Sequence, residues 1–317
     1  MKGSGLRAWL FYAAVRSVFA IMQVFPLEWN LQTARLLARV WRVIMPRHYD
    51  RAVAHLTAAL GDSLTPHQID RLARQCLESV TMFAVEAVCL PRLIHRNTWS
   101  RYIRLRDFDD TLRLLLSGQG LILVTGHYGS FELLGHLLAN LGFEVAAVMR
   151  PLDNAYLNRF IVTSRRTHGL NLLDKKGATV QAEDLLRDGS LLGFIGDQDA
   201  GRKGLFVDFF GRPASTYKSI ALLAVTTETP VVVGYARRCG HQALYEIGVK
   251  RIVRPNEWQN RHDPIRWITQ EYTKAIEDVV REDPTQYLWI HRRWKSRPRL
   301  PRKPAESAAV ALSPEAP

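Results

Sequence analysis

The sequence contains few cysteines, and this scarcity excludes two kinds of site. Its 317 residues include three cysteines, at positions 76, 89 and 239. Thiols so few and so widely spaced provide neither a zinc site nor a disulfide framework. Cys76 and Cys89 lie in a stretch of helical periodicity, where a free thiol behaves as a small hydrophobic side chain. The cysteine content therefore indicates a reducing compartment.

Acidic residues are also scarce relative to basic ones, which bears on the partners of the protein. The chain has 43 lysines and arginines against 30 aspartates and glutamates, for a formal net charge of +13. A basic surface attracts anionic lipid headgroups, nucleic acid or an acidic carrier protein, and net charge alone does not distinguish them. The hydrophobic content of 47% argues against wholesale disorder. The length allows one large domain or two small ones.

The sequence has no uninterrupted apolar run that by itself predicts a membrane-spanning helix. Residues 6–25 are largely apolar and rich in aromatic side chains, but Arg16 interrupts them, and a bilayer-spanning helix needs about 20 predominantly apolar residues. Pro26 follows directly, instead of the small-residue site of a cleaved signal peptide. We expect residues 1–26 to form a hydrophobic membrane anchor or interfacial helix, with an ordinary buried first helix as the alternative.

The next segment, residues 27–98, shows only helical signals. Thr65, Pro66 and Gln68 form a helix start, with Thr65 as the N-cap of a capping box. Apolar residues then recur at intervals of three and four, which predicts an amphipathic helix that Pro91 should end. We interpret this segment as a helical region packed on the core.

Residues 99–295 alternate between strand and helix patterns, which predicts an α/β domain. The later strands follow one another closely, so we expect a mixed sheet flanked by helices. The strands are predicted at 121–125, 144–149, 170–173, 191–195, 205–209, 231–235 and 244–249, and the helices at 109–116, 131–141, 153–168, 178–188, 215–227 and 264–281. Residues 296–317 are expected to be a tail that is first basic and, from Pro304, disordered.

Residues 121–132 carry the side chains best suited to catalysis. A short apolar strand ends at Gly126 and a helical repeat begins near Phe131, which places His127 in the loop and Glu132 in the first helical turn. A carboxylate there can reach back across the turn, accept a hydrogen bond from the imidazole and stabilise its protonated form. A general base that activates an alcohol needs such a partner.

Other interpretations of the same residues stay open. His127 could be a hydrogen-bonded structural residue, and Glu132 could simply interact with the helix dipole. Glu132 and His136 are four residues apart and could bind a metal together with His127, but the His-Glu-x-x-His spacing is absent, and we expect no metal. Ser130 lacks the flanking glycines of a nucleophile elbow.

Arginines follow the next predicted strand. Arg150 closes that strand and Asn154 opens a helix, a placement suited to holding a phosphate with help from backbone donors. Arg159, Arg165 and Arg166 follow on the helix. The alternative is a solvated basic face, above all for Arg166.

Two later segments combine glycine with polar side chains. Residues 193–204 form a glycine-rich loop that contains Asp197 and Gln198 and does not match a P-loop, so nucleotide binding has weak support. Residues 207–218 end a strand, turn near Gly211 and begin a helix near Thr216. The free amides of that helix start could face a phosphate or a developing oxyanion.

Five of these segments together resemble the bacterial lipid A biosynthesis acyltransferases, which belong to the wider lysophospholipid acyltransferase superfamily. The matching blocks are 126–132, 150–154, 196–198, 207–216 and 289–295, in the family's order. Five ordered blocks are far more specific than any single one. Ser130 and Phe131 depart from the Asn and Trp that are common in the family, whereas His127 and Glu132 match its pattern.

The resemblance implies an enzyme that transfers a fatty acyl group from an acyl carrier protein or acyl-CoA thioester to a hydroxyl of a lipid A precursor or related phosphorylated glycolipid. His127 would be the base and Glu132 would hold its tautomer, without a cofactor, while backbone amides near Gly211 or Gly129 would stabilise the oxyanion. The location implied is the bacterial inner membrane, with the catalytic domain facing the cytoplasm. Substrate contacts are expected from Arg150, Asn154, Arg159, Arg165, Asp197, Gln198, Gly211 and Thr216.

The densest run of charge lies near the C-terminus, at residues 292–303. With Trp289 and Trp294 beside it, this run suits an anionic membrane surface. Nucleic-acid binding competes with that interpretation, since arginines and aromatic rings serve it too, but we expect no nucleic-acid partner. The alternative functions are acyl transfer from acyl-CoA to a lysoglycerophospholipid or another glycolipid, and hydrolysis at a lipid surface.

Overall fold

The computed structural model describes residues 3–149, 151–167, 169–174, 178–240 and 242–298. Helices and strands alternate from residue 99 onwards, after four N-terminal helices. The helices are α1 (Leu6–Met22), α2 (Leu27–Ile44), α3 (Pro46–Leu60), α4 (Pro66–Leu93), α5 (Trp99–Tyr102), α6 (Asp109–Leu116), α7 (Glu132–Asn140), α8 (Ala155–Thr167), α9 (Ala178–Arg187), α10 (Ser219–Thr227), α11 (Pro255–Trp258) and α12 (Pro264–Glu282). The strands are β1 (Ile103–Arg106), β2 (Leu121–Thr125), β3 (Val145–Met149), β4 (Leu170–Asp174), β5 (Leu191–Ile195), β6 (Leu205–Phe209), β7 (Arg212–Thr216), β8 (Val231–Arg238) and β9 (Tyr245–Val253).

Seven of these strands form one sheet in the order β1-β9-β8-β2-β5-β3-β4. Five of its strand pairs are parallel, and the pair β8 and β9 is antiparallel. The central strand β2 is an almost continuous apolar run, as expected of a strand covered by helices on both faces. The prediction of a mixed sheet flanked by helices is therefore confirmed, and the sheet is predominantly parallel.

The carboxyl ends of β2 and β5 lie side by side at the centre of this sheet. The two strands are parallel and in register, with Thr125 opposite Ile195. Because parallel neighbours in register end at the same edge, the loops that leave them begin next to each other. Residues 126–131 and 196–204 are thereby brought together across about 70 positions of sequence.

The helical start at Thr65 is confirmed, whereas the predicted end of that helix is wrong. The Thr65 hydroxyl accepts from the Gln68 amide at 3.3 Å, and the Gln68 side chain accepts from the Thr65 amide at 2.8 Å. The helix α4 continues through Pro91 to Leu93. Proline is tolerated there because the last turn stays closed by the Ile94 amide, which donates to the Leu90 carbonyl at 2.8 Å.

The predicted helix 215–227 begins four residues late, at Ser219, because a second strand precedes it. Phe210 and Gly211 both adopt positive φ, at 58° and 70°, so the chain reverses within two residues and β7 pairs antiparallel with β6. Phenylalanine rarely adopts a positive φ, so the residue pattern predicts a turn near Gly211 but not the hairpin. Strand β1 was also not predicted, since three of its four residues are exposed.

Helix α1 lies against α8 without burying any of its side chains. The Asn154 side chain donates to the Ala8 carbonyl at 2.9 Å, the Tyr12 and Tyr156 rings stack at 5.9 Å, and the Arg16 guanidinium lies 4.2 Å from the Phe160 ring centre. Among the described residues, no helix has the length and apolar character needed to cross a bilayer. The membrane role of residues 1–26 and the division at residues 27–98, 99–295 and 296–317 stay predictions, and the tail beyond residue 298 lies outside the described residues.

A buried ion pair joins the N-terminal helices to the sheet. Glu86 of α4, 1% exposed, accepts hydrogen bonds from the Arg238 guanidinium of β8, with Nη2 at 2.7 Å. The same carboxylate accepts from the Tyr245 hydroxyl at 2.9 Å and from the hydroxyl of Ser130, in the loop after β2. A buried carboxylate without donors is costly, so these four residues hold one another in place.

Replacing Arg238 by Met should lower the free energy of unfolding by about 3–5 kcal/mol, because Glu86 would be left as a buried charge without its ionic partner. Urea unfolding followed by circular dichroism measures this loss. The control is Arg113→Met, which removes an arginine that is 80% exposed and pairs with Asp110 at the surface. Surface pairs contribute up to about 1 kcal/mol. Equal losses in the two variants would contradict the proposed role of the buried pair.

Candidate functional site

His127 and Asp197 form a hydrogen-bonded pair at the carboxyl edge of the sheet. Each residue lies two positions beyond its strand, β2 or β5, and the register of these strands sets them side by side. The His127 backbone amide donates to Asp197 Oδ2 at 2.9 Å, and His127 Nδ1 donates to Asp197 Oδ1 at 2.7 Å. Two contacts from one residue to one carboxylate fix both the backbone and the ring of His127.

The tautomer of His127 follows from this contact. An ionised carboxylate only accepts hydrogen bonds, so Nδ1 carries the proton, and Nε2 has a free lone pair when the ring is neutral. The His127 side chain is 14% exposed, whereas that of Asp197 is 2% exposed. The base is thus accessible and its partner is not. The side-chain nitrogen of Gln198 lies 3.4 Å from Nε2.

The pair shifts the pKa values of both residues away from their ordinary values. Burial alone would lower the pKa of His127, but the charge of Asp197 and its hydrogen bond outweigh burial and raise it above 6.5. Burial alone would raise the pKa of Asp197, but the charge of His127 and its two hydrogen bonds hold it well below 3.8. Asp197 therefore stays ionised at neutral pH and stabilises the imidazolium that forms when His127 accepts a proton.

Two rings enclose the imidazole of His127. Phe131 contacts it edge to face with ring centres 5.3 Å apart, and His291 stacks on it at 5.5 Å with an interplanar angle of 24°. Burial lowers the pKa of His291, which favours a neutral ring beside the His127 imidazolium. These contacts leave Nε2 as the polar atom of the ring that faces the site.

The structure gives Glu132 a different partner from the one predicted. Its carboxylate accepts from Arg165 Nη2 at 2.5 Å, across the gap between α7 and α8. The expected hydrogen bond from His127 to Glu132 is replaced by the bond to Asp197, because the chain enters α7 at Glu132 and the loop turns the imidazole towards β5. The carboxylate that orients His127 is therefore Asp197, for which the sequence predicted a substrate contact.

The loop around His127 is fastened to the C-terminal part of the chain. The Leu288 amide donates to the His127 carbonyl at 3.0 Å, and the Gly129 amide donates to the Gln286 carbonyl at 3.0 Å. Gly129 adopts a φ of +54°, and a side chain there would collide with the carbonyl oxygen of Ala236, so glycine is required. Because its amide is already bonded, Gly129 does not offer the free oxyanion donor that the sequence suggested.

The other predicted substrate contacts have mixed outcomes. Gly211 lies in the hairpin turn, where its amide donates to Asp208 Oδ1 at 3.0 Å, so it too provides no free donor. Asn154 accepts from the Tyr156 amide at 3.0 Å and from the Leu157 amide at 3.1 Å, which makes it the cap of α8. Arg159 is exposed on α8, and Arg150 lies outside the described residues.

Thr216 and Arg293 form a buried contact that the sequence did not reveal. Arg293 is 1% exposed; its Nη1 donates to the Ser215 carbonyl at 2.6 Å, and its Nη2 donates to the Thr216 hydroxyl at 2.5 Å. Thr216 lies within β7 and is fully buried, so it does not begin a helix that faces substrate. Arg293 and the buried Trp289 are also wrongly assigned to a membrane-facing surface by the sequence pattern, which cannot separate a buried arginine from its exposed neighbours.

The described residues contain no group of three or more His, Cys, Asp or Glu side chains that could hold a metal ion. His136, which the alternative metal interpretation used, instead has its Nε2 2.8 Å from the Ile94 carbonyl, the terminal residue that caps α4. The side chains that converge around His127 include its buried carboxylate partner, and an imidazole held in this way is chemically able to accept and return a proton at Nε2.

A sequence model described as bacterial lipid A biosynthesis acyltransferase matches residues 2–296. Similar proteins include the lipid A biosynthesis palmitoleoyltransferase of Escherichia coli strain K12, 26% identical over 201 residues, which are 62% of this chain and 63% of that protein. The lauroyltransferase of the same strain is 27% identical over 202 residues, 63% of each chain. The phosphatidylinositol mannoside acyltransferase of Mycolicibacterium smegmatis is 28% identical over 163 residues, 50% of this chain and 53% of that protein. The chain thus spans less than two thirds of the length of these relatives.

Replacing Asp197 by Asn should move the pKa of His127 from above 6.5 to below it, because burial persists while the negative charge is lost. Because folding raises the pKa of His127 in the wild type, protonation of this residue stabilises the folded state. This stabilisation is fully present below pH 6.5 and is lost as the pH rises through the pKa of folded His127. Histidine NMR titration measures the shift. His55, which has its Nδ1 2.8 Å from the Trp289 carbonyl, is the internal control and should titrate unchanged. An unchanged His127 would contradict the assignment of Asp197.

Proposed function

The chain belongs to the bacterial lipid A biosynthesis acyltransferase family, and on that premise we propose that it transfers a fatty acyl group from a thioester to a hydroxyl of a lipid A-type acceptor. The observation that carries this proposal is the pair His127 and Asp197, with Nδ1 held by a buried carboxylate and Nε2 facing the site. Such a pair is suited to removing a proton from an alcohol.

The reaction begins when His127 Nε2 accepts the proton of the acceptor hydroxyl as its oxygen attacks the thioester carbonyl. The tetrahedral intermediate then breaks its carbon–sulfur bond, and the departing sulfur takes up the proton from the imidazolium, so that the base is regenerated. Asp197 keeps Nδ1 protonated and stabilises the imidazolium between the two steps. The residues of the chain supply all the proton transfers that this sequence needs.

In this proposal Glu132 does not contact substrate, and its role is to position the Arg165 side chain. The ion pair at 2.5 Å fixes the guanidinium of α8 beside the entrance of α7, where it can bind an anionic part of the acceptor. Arg159 lies six residues earlier on α8, which turns it about 120° away around the helix axis. We therefore assign the acceptor contact to Arg165, with Gln198 beside Nε2 as a second polar contact to substrate.

The donor is an acyl carrier protein or acyl-CoA thioester, for which the net charge of +13 provides electrostatic complementarity, since both donors are anionic.

The acceptor of the second candidate function is a different glycolipid. The name of the mycolicibacterial relative, a phosphatidylinositol mannoside acyltransferase, supports that candidate. A lipid-surface hydrolase is the third candidate and would release the acyl group to water without an acceptor.

Replacing His127 by Ala should lower the rate of acyl transfer by about 10²–10⁴-fold, the usual contribution of a positioned general base. The assay incubates labelled acyl carrier protein thioester or acyl-CoA with membranes and with a lipid A precursor, a lysoglycerophospholipid or phosphatidylinositol mannoside. Circular dichroism checks that the variant is folded. Equal product from wild type and variant would refute the role of His127, and acyl release that needs no acceptor would indicate the hydrolase.

The enzyme acts at a lipid surface, in our proposal at the cytoplasmic face of the bacterial inner membrane. Helix α2 supports this because it has two apolar faces. One face, with Leu27, Leu31 and Ala34, is buried. The opposite face spans an arc of about 120° and stays exposed. Its apolar members are Trp29, Leu36, Leu37, Val40, Val43 and Ile44.

The surroundings of this exposed face favour a lipid surface over a protein partner. Arg35, Arg39 and Arg42 flank it on α2, and long basic side chains beside an apolar stripe can reach anionic headgroups while their stems lie in the interface. Helix α1 adds further exposed apolar residues, among them Trp9 and Phe11. Together α1 and α2 form a surface that suits an interfacial membrane contact.

The double substitution Leu36→Glu/Val40→Glu should reduce binding to vesicles of phosphatidylcholine and phosphatidylglycerol at least tenfold. Each apolar side chain contributes about 1.5–3 kcal/mol when it leaves water. Vesicle sedimentation at several salt concentrations measures the loss. The matched control is Leu112→Glu/Leu116→Glu, two exposed leucines four residues apart on α6. Equal losses in both variants, or stronger binding of the wild type to DNA than to vesicles, would refute the assignment.

A further inference from the structure

A basic depression lies beside the proposed general base. It has a volume of about 500 Å³ and is lined by His48, Arg51, Asp199, Ile290, His291, Arg292 and Lys295. A second depression of about 660 Å³ shares Asp199 and Lys295 with the first and adds Arg202, Ser296 and Arg297 among its lining residues. We refer to the two together as the basic cleft.

We propose that the basic cleft is a phosphate-binding subsite, which holds a phosphate group of one of the two substrates while the acyl group is transferred at His127. This inference rests on the proposed acyl transfer, because it assigns the cleft to a substrate of that reaction. Two of the arginines that the sequence suggested for phosphate binding, Arg159 and Arg165, do not line it. The third, Arg150, lies outside the described residues.

The cleft adjoins the reaction centre through His291. This residue lines the first depression and stacks on the His127 ring at 5.5 Å. Its Nδ1 is buried and has no hydrogen-bond partner among the described residues. A ligand in the first depression therefore lies one aromatic ring away from the base.

The cationic side chains of the cleft outnumber its carboxylates. Five arginines and lysines line it, and within the described parts of the chain no carboxylate lies within ion-pair distance of any of them. The single lining carboxylate, Asp199, is engaged by Ser296, whose hydroxyl donates at 3.0 Å and whose amide donates at 3.4 Å. Such an excess of cations attracts a group with more than one negative charge.

Buried contacts hold the backbone segment that carries Arg292 and Lys295. The Arg293 guanidinium is buried against the Ser215 carbonyl and the Thr216 hydroxyl, and this anchors the chain between Arg292 and Lys295. The Lys295 amide donates to the Arg292 carbonyl at 3.2 Å. Arg51 is held separately, because its Nη1 donates to the Ile290 carbonyl at 3.1 Å. Cations on a fixed frame lose less conformational freedom when they bind an anion.

The chemistry of the cleft selects phosphate among the groups that the substrates contain. Charged side chains would leave an acyl chain in a polar environment, so the cleft does not hold the fatty acid. Arginine binds phosphate bidentately and lysine adds a point charge. Two sources present such a group: the phosphopantetheine arm of the thioester donor and the phosphate of a phosphorylated glycolipid acceptor.

The test uses the full-length double variant Arg292→Gln/Lys295→Gln, which removes two exposed cations of the cleft. The control, Arg104→Gln/Arg187→Gln, removes two exposed arginines elsewhere. Binding of inorganic pyrophosphate is measured by calorimetry, and KM is measured for acyl carrier protein thioester, for a phosphate-free acyl-N-acetylcysteamine thioester, and for acceptors with and without phosphate. We expect pyrophosphate binding to be lost, and KM for one phosphate-bearing substrate to rise about tenfold or more, in the cleft variant alone.

The arms of this experiment identify the source of the phosphate. A KM effect that disappears with the N-acetylcysteamine donor assigns the cleft to the donor, and one that disappears with the dephosphorylated acceptor assigns it to the acceptor. The variant Arg292→Lys/Lys295→Arg keeps both charges and should restore binding. Unchanged KM values for every substrate would overturn the proposal, whatever pyrophosphate does. A wild type that binds pyrophosphate through these residues but transfers no acyl group would refute the proposed function and leave an anion site.

Discussion

The burial of one carboxylate, that of Asp197, is the constraint on which the site depends. An ionised group that is 2% exposed is stable only where donors surround it. His127 provides two such donors, its backbone amide and its ring nitrogen Nδ1. The acid therefore requires the histidine for its own burial, and the histidine receives a fixed tautomer in return. This mutual dependence fixes the positions of both side chains.

Sheet topology creates this dependence. Strand β5 lies between β2 and β3 in the sheet, although β3 and β4 separate it from β2 in the sequence. Two loops that are far apart in sequence then begin at the same edge. The buried pair of Glu86 and Arg238 complements this arrangement from the other side, since Glu86 also accepts from the Ser130 hydroxyl within the His127 loop. The loop is thus held by both the sheet and the N-terminal helices.

Local patterns predicted much of the fold but not the partner of the base. The apolar runs placed β2 and β5 correctly, and the loop position of His127 followed from them. The choice of carboxylate depended on strand order, which hydrophobic periodicity does not encode, so the nearby Glu132 was preferred to the distant Asp197. The same limit applies to Arg293, which sequence cannot separate from exposed Arg292 and Lys295, because burial here comes from contacts with β7. The hairpin of β6 and β7 was missed for a local reason, a phenylalanine at a positive φ.

The attachment of the His127 loop to residues 286–288 has a consequence for the biosynthesis of the protein. These residues are bonded to the carbonyl of His127 and the amide of Gly129, and they come late in the chain. A nascent polypeptide that ends before them contains the central strands and the base but lacks the contacts that close the loop. The loop around His127 therefore acquires these contacts only after residues 286–288 have been synthesised.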